Sequence, residues 1–168
     1  MRHINRPSPE LQTRTLLLQV CQGLEQRLDA TIKDRGHPDF RAKHGAVLAN
    51  IDADGTRLST LADRAAMSRP AMLELVDELE SKGYVKREPD PHDRRAKLVV
   101  PTEKGMDQIS IAIEAAKDLE QQLRELLGGQ QYRTLRRILG NLHARYSPEP
   151  ASLQPRAAYA YRPRGSPF

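Results

Sequence analysis

Between Tyr84 and Gly105 the chain reads Tyr-Val-Lys-Arg-Glu-Pro-Asp-Pro-His-Asp-Arg-Arg-Ala-Lys-Leu-Val-Val-Pro-Thr-Glu-Lys-Gly. Tyr84 to Arg87 and Lys97 to Val100 alternate and carry β-branched residues, the pattern of short strands. Asp90 to Arg94, between them, is rich in turn formers. Thr102 then stands where the N-cap of a new helix belongs. This order predicts a β-hairpin with a charged tip that feeds directly into a helix. Few folds accept such a unit, so the rest of the chain is read against it.

Upstream, Ser59 is a candidate cap for a short helix holding Leu61, Ala62 and Ala65. A turn at Ala66-Met67 leads to Ser68, a second candidate cap. The next helix, expected over 69–82, places Met72, Leu75, Val76 and Leu79 on one face and stops at Lys82-Gly83. Thr56-Arg57-Leu58 can add a short strand. Two helices around a tight turn, followed by a hairpin, make a helix-turn-helix with a wing. That device lays a helix in one DNA groove and a basic tip in the next. The helix pair alone is equally compatible with a plain helical hairpin; the wing decides between them.

The flanks are helical. Ser8-Pro9-Glu10 has the chemistry of a helix start. Leu17, Val20, Cys21, Leu24, Leu28 and Ile32 then recur at helical spacing, and the helix is expected to end near Asp34-Arg35-Gly36. A second helix is expected after Pro38-Asp39, using Phe40, Val47, Leu48 and Ile51, with a turn at 52–55. After Thr102 the apolar stripe runs Met106, Ile109, Ile113, Ala116, Leu119, Leu123 and Leu126 to Gly128-Gly129. A last helix holds Leu135, Ile138, Leu139 and Leu142. From Ser147 the chain is Pro-rich and without period, as expected of a disordered tail. The expected organisation is a flexible 1–9, N-terminal helices over 10–55, a winged lobe over 56–101, C-terminal helices over 102–146, and the tail 147–168. The fold class is mainly α with a small β wing, flanked by N- and C-terminal dimerisation helices.

Composition restricts the function classes. Hydrophobic residues make up 38% of the 168 residues, with no Trp and two Phe, so part of the burial is expected from an oligomer interface. The net charge of +5 suits a polyanionic partner. Across 67–105, however, eight Lys or Arg face eight Asp or Glu. DNA affinity in the winged lobe must therefore come from where the cations sit. A single Cys excludes an internal disulfide, and with no apolar leader the expected location is the cytoplasm. No run of ~18 apolar residues suggests a membrane span. No metal-ligand spacing, phosphate loop or nucleophile elbow appears, so neither metal, cofactor nor enzyme activity is expected.

Several segments together resemble one family. Leu61-Ala62-Asp63, Leu75-Val76-Asp77-Glu78-Leu79-Glu80, Gly83-Tyr84-Val85, Asp90-Pro91, Asp93-Arg94-Arg95 and Leu98 to Gly105 are similar, in order and spacing, to the MarR family of bacterial winged-helix regulators. The likeness is close over about residues 56–106 and looser over the flanks. It implies a homodimeric regulator, most often a repressor, bound to double-stranded DNA at a pseudopalindromic operator, with recognition helices ~34 Å apart. Carried onto this chain, the contact set is Ser68, Arg69, Pro70, Ala71, Met72, Leu73 and Glu74 on the recognition helix. The wing, 88–97, would add Asp93, Arg94, Arg95 and Lys97, with Arg87 at its base. Arg95 would enter the minor groove and Asp93 would brace a neighbouring arginine. The Ala71 to Glu74 segment departs from the small hydroxyl residues frequent there, which leaves base preference open.

Family members often release DNA on binding small aromatic or lipophilic effectors, in a cleft between the dimer helices and the winged lobe. In this chain the expected lining is Arg14, Leu17, Leu24, Phe40, His44 and Ile113. Peroxide-sensing members carry a reactive Cys on the first helix. Cys21 lies there but within an apolar stripe, where a buried small hydrophobe is the expected role. The alternatives are a redox-sensing regulator acting through Cys21 and a winged-helix protein–protein adaptor that does not bind DNA.

Overall fold

The structure is a computed structural model that describes residues 12–146. The expected helix start at Ser8-Pro9-Glu10, the flexible N-terminus and the Pro-rich tail lie outside the described residues. The order is α1 (Thr13–Asp34), a 3-10 turn (Ala42–His44), α2 (Gly45–Leu48), β1 (Thr56–Arg57), α3 (Leu58–Arg64), α4 (Arg69–Ser81), β2 (Val85–Asp90), β3 (Asp93–Pro101) and α5 (Glu103–Tyr146).

The three strands form one antiparallel sheet in the order β1-β3-β2. β2 and β3 pair from Val85 against Pro101 to Asp90 against Asp93, with an irregularity between Pro89 and Asp90. The hairpin is longer than its alternation suggests, and its turn shrinks to Pro91-His92. Arg94 and Arg95 consequently belong to the first residues of β3 instead of the turn. β1 pairs through Thr56 with Val99 and Arg57 with Leu98. It runs straight into α3, so Arg57 occupies the N-cap position and Ser59 falls inside the first turn, correcting the expected cap.

The core forms where these elements meet. Leu61 and Ala62 of α3 pack with Met72, Leu75, Val76 and Leu79 of α4, all buried. Val47, Leu48 and Ile51 close one side, Tyr84, Val85 and Val99 of the sheet another, and Ile109 and Ile111 of α5 a third. Ser68 caps α4 as expected, its Oγ accepting from Ala71 N at 3.3 Å. The helix expected from Asp39 starts later: Arg41 is extended (φ −131°, ψ 152°), and only the 3-10 turn and one turn of α2 follow.

At the start of α5, Thr102 Oγ1 accepts from Gly105 N at 3.2 Å and donates to Gly83 O at 2.6 Å, while Thr102 N donates to Tyr84 O at 3.0 Å. Gly105 sits directly on that carbonyl: a Cβ there would lie 2.1 Å from Tyr84 O. The glycine is therefore required by close packing of helix on strand entry. Farther along, α5 breaks at Gly128, whose φ of 71° and ψ of 155° are non-helical. Residues 103–127 and 129–146 are thus two arms. Tyr132 of the second arm is buried back against the first, its hydroxyl donating to Glu120.

α1 crosses the first arm, with Arg35 paired to Glu114 at 2.6 Å and Arg27 bonded to Gln122 at 2.9 Å. Much of its apolar stripe is left uncovered by the described residues. Leu16, Leu17, Leu18 and Val20 are exposed, as are Leu126, Ile138, Leu139, Leu142 and Tyr146 of the C-terminal arms. Cys21 is exposed as well, which corrects its expected burial within one chain.

Candidate nucleic-acid interface

The N-terminal half of α4 presents a mixed face. Arg69, Pro70, Leu73 and Glu74 are exposed, with Leu73 42% exposed, and Ala71 is half-buried. Met72 is 0% exposed and belongs to the core. It sits one turn from Val76 on the inner stripe of the helix, so it is removed from the expected contact set.

Cations in this lobe fall into two groups. Arg87 is held by two acids of α4: it donates to Asp77 Oδ1 at 2.5 Å and to Glu80 Oε2. Its backbone N also donates to Glu80 at 3.1 Å. Arg87 therefore ties the wing to the recognition helix instead of projecting outward. Lys86 pairs with Glu88 at 2.6 Å, and Lys104 with Asp39 at 3.2 Å while lying 4.1 Å over the Tyr84 ring. Arg69, Arg95 and Lys97, by contrast, are exposed and have no acidic partner within 4 Å among the described residues. The side chain of Arg94 lies outside the described residues. The charge cancellation noted in the sequence is thus only partly an internal pairing, through Lys86 with Glu88 and Arg87 with Asp77 and Glu80, and among the described residues it leaves Arg69, Arg95 and Lys97 exposed without an acidic partner.

The wing is braced from a place the sequence reading missed. Asp90 is buried and accepts from Arg57 Nε at 2.8 Å and from His92 N at 2.8 Å, and lies 2.6 Å from Arg57 Nη2. The amide bond from His92 and the Arg57 guanidinium hold its carboxyl below the ordinary carboxylate range. Asp93 performs a smaller task than expected. Its Oδ1 accepts from the backbone N of Arg95 at 3.1 Å, and its other oxygen is 3.7 Å from Arg57. It shapes the turn and does not grip the Arg95 guanidinium. The signal that could have revealed Arg57 is its position: one strand pair away from Leu98, beside a turn rich in acids.

Behind the recognition helix lies a second network. His44 is fully buried; its Nδ1 accepts from Arg41 N at 3.1 Å, so Nε2 carries the proton and donates to Glu78 Oε2 at 2.9 Å. Burial holds this imidazole below its ordinary pKa, in the neutral form. Glu78 of α4, bonded by His44 and by Lys43, is lowered to about 2. Nearby, Tyr84 donates to Asp39 Oδ1 at 2.7 Å, and buried His37 bridges Tyr84 (3.1 Å) and Asp107 of α5 (2.9 Å). Burial, then the bond to Asp39, raises the Tyr84 phenol; that same bond is the main reason Asp39 is lowered.

A cavity of about 230 Å³ opens between α1, the 40–49 segment and α5. Of the six residues expected to line an effector site, Phe40 lines this cavity and the other five do not. His44 points away, into the contact with Glu78. Arg14 and Leu17 are exposed on the first half of α1, and Leu24 and Ile113 are half-buried outside the lining. The cavity sits one to two helical turns farther along α1, at Glu25, Leu28, Asp29 and Ile32.

Comparison with known proteins places this geometry. The model of the MarR family matches residues 40–96, which run from the cavity wall through the wing. The transcriptional regulator HosA of Escherichia coli O111:H- is 27% identical over 95 residues, 56% of this chain and 70% of HosA. The reduced form of MarR from E. coli superposes with a TM-score of 0.66 at 25% identity, covering 80% of this chain and 98% of MarR. The S. aureus MepR–DNA complex shares the fold at a TM-score of 0.66 and 19% identity, over 81% of this chain and 99% of MepR. With recognition helix, wing and scaffold helices in the same order, the chain shares the winged-helix fold of MarR, and its segment 40–96 is similar to the MarR family.

Proposed function

We propose that the protein is a homodimeric regulator that binds a pseudopalindromic DNA operator and is released by a small-molecule effector. The observation that carries this reading is the distribution of free cations. Arg69 at the start of α4 and Arg95 and Lys97 on the wing are exposed and have no acidic partner among the described residues, while Lys86, Arg87 and Lys104 are paired with acids. Such a pattern supports phosphate and groove contacts from two points of one lobe. MepR, a structural neighbour, has been solved on DNA.

The exposed leucines of α1 and of the arm after Gly128 support the dimer, because apolar surface on this scale is rarely left to water. The Ser68 cap and the α4 N-terminus are suited to a phosphate, and Leu73 and Glu74 to thymine methyls and cytosine amino groups. For release, the supporting feature is the 40–48 segment. One side, Phe40, Ala42, Gly45 and Leu48, lines the cavity; the other, Lys43 and His44, holds Glu78 of the recognition helix. A ligand that displaces this wall would move α4. Repression is the mode of action this design suits best, since release by a ligand relieves it.

The test is a salt-dependent binding assay on the DNA upstream of the chain's own gene. Affinity that falls steeply with salt is expected. Salt-insensitive binding, or none, would favour a protein–protein adaptor.

A further inference from the structure

The net charge of +5 does not come from the winged lobe or its scaffold. Residues 1–128 hold twenty Lys or Arg against twenty-one Asp or Glu, whereas 129–168 hold seven Arg, no Lys and one acid. Four of those arginines, Arg133, Arg136, Arg137 and Arg145, lie on the arm after Gly128, which carries no acid at all. All four are exposed. Arg136 is 3.7 Å from Glu120; Arg133, Arg137 and Arg145 have no acidic partner within 4 Å among the described residues. Segments 1–11 and 147–168, outside the described residues, hold five Arg against two Glu, so they add to this charge. The charge also has a definite face. Leu135, Ile138, Leu139 and Leu142 follow the spacing of one helical stripe, the side assigned above to the dimer. At about 100° per residue, Arg133 and Arg137 stand roughly 160° around the helix from Leu135 and one turn from each other. Pairing the stripe with a second copy therefore leaves both guanidinium groups facing water.

We propose that this arginine face binds the phosphate backbone of double-stranded DNA, without reading sequence, as a second contact separate from the winged lobe. The residue type points to phosphate. Elsewhere in the chain seven of the twenty cations are Lys, yet none of the seven in 129–168 is. Arg presents a planar fork that matches phosphate oxygens, which Lys does not. Single-stranded nucleic acid is held by stacking on aromatic side chains. On this arm Tyr132 is buried, which leaves Tyr146 as a lone exposed ring. A lipid surface would take up the apolar stripe that the dimer needs. The face is also remote from the lobe: Arg136 meets Glu120, roughly 25 Å along α5 from its start at 1.5 Å per residue. The contact is independent of the operator reading, because it would hold duplex whether or not the winged lobe prefers a sequence.

The test uses the purified full chain and a short duplex of unrelated sequence, followed by fluorescence anisotropy across a salt series. In an Arg95→Ala background, which removes the proposed wing contact, the duplex is expected still to bind. Adding Arg133→Gln and Arg137→Gln should weaken that binding at least about tenfold and reduce the salt slope by about 2, one for each lost phosphate contact. Light scattering should keep the dimer mass and circular dichroism should stay helical. If the double change does not fold, each single change should lower the slope by about 1. Unchanged affinity and slope would overturn the proposal, as would a monomer, which would put the arginines in the subunit contact. Tighter binding to phosphatidylglycerol vesicles or to polyglutamate than to the duplex would overturn the choice of DNA. Preference for operator over unrelated duplex reports on the winged lobe. Its absence, with the arm effect intact, removes the operator reading and keeps the arm contact.

Discussion

Gly105→Ala is the most direct test of how the winged lobe is joined to α5. The new Cβ would stand 2.1 Å from Tyr84 O and 3.2 Å from Tyr84 C, both backbone atoms that cannot rotate away. Relief requires α5 and the β2 entry to separate by about 1 Å, an overpacking cost of about 1–3 kcal/mol. The same carbonyl accepts from Thr102 N at 3.0 Å, and displacing it weakens that bond at about 1 kcal/mol. Against this, alanine gains up to ~1 kcal/mol of helix propensity over glycine. The clash wins, and a net loss of about 1–3 kcal/mol is expected in urea unfolding. Gly23 on α1 supplies the control, because a Cβ there meets nothing within 4 Å. Gly23→Ala should be neutral or stabilise by up to ~1 kcal/mol. If Gly105→Ala behaves like Gly23→Ala, the close approach of α5 to Tyr84 is wrong.

Arg95→Ala should weaken operator binding about tenfold or more and reduce the salt slope by about 1, without altering the unfolding midpoint; unchanged affinity would refute the wing contact. Met72→Ala, at a fully buried position, should cost about 2–5 kcal/mol of stability and leave the salt slope intact. Leu139→Asp on the exposed arm should yield a monomer by light scattering, and a dimer of wild-type mass would refute that interface. Acidification tests His44. Its folded pKa lies below the ordinary value near 6.5, so the unfolded chain takes up a proton first and stability rises with pH through that region. His44→Gln should remove this part of the pH slope between pH 7.5 and 5.5; equal slopes in variant and wild type would refute the buried neutral imidazole.

The recognition helix was legible because its inner stripe is long, strictly periodic and begins with Ser68 followed by Pro70 near the start. That same stripe already contained Met72, and listing it as a DNA contact ignored its period. The hairpin was legible from alternation, but its length is set by the β2–β3 pairing, which runs on to Asp90 opposite Asp93, and β1 beside it is a two-residue strand with almost no signal of its own. Arg57 and Asp90 are 33 residues apart, and their contact follows from the pairing of β1 with β3. The cavity was misplaced because every apolar position on α1 looks alike in sequence. Only the crossing of α1 over α5 decides which turn faces inward.

The pairing of Arg87 with Asp77 and Glu80 bears on how such a protein would find its operator. A lobe that carried all eight of its cations free would adhere to any stretch of duplex, and the genome would sequester it. By holding Arg87 with Asp77 and Glu80, α4 keeps the lobe's sequence-independent attraction low. What remains for DNA is a sparse set of charges, which can all be satisfied only where the backbone follows the geometry of the true site.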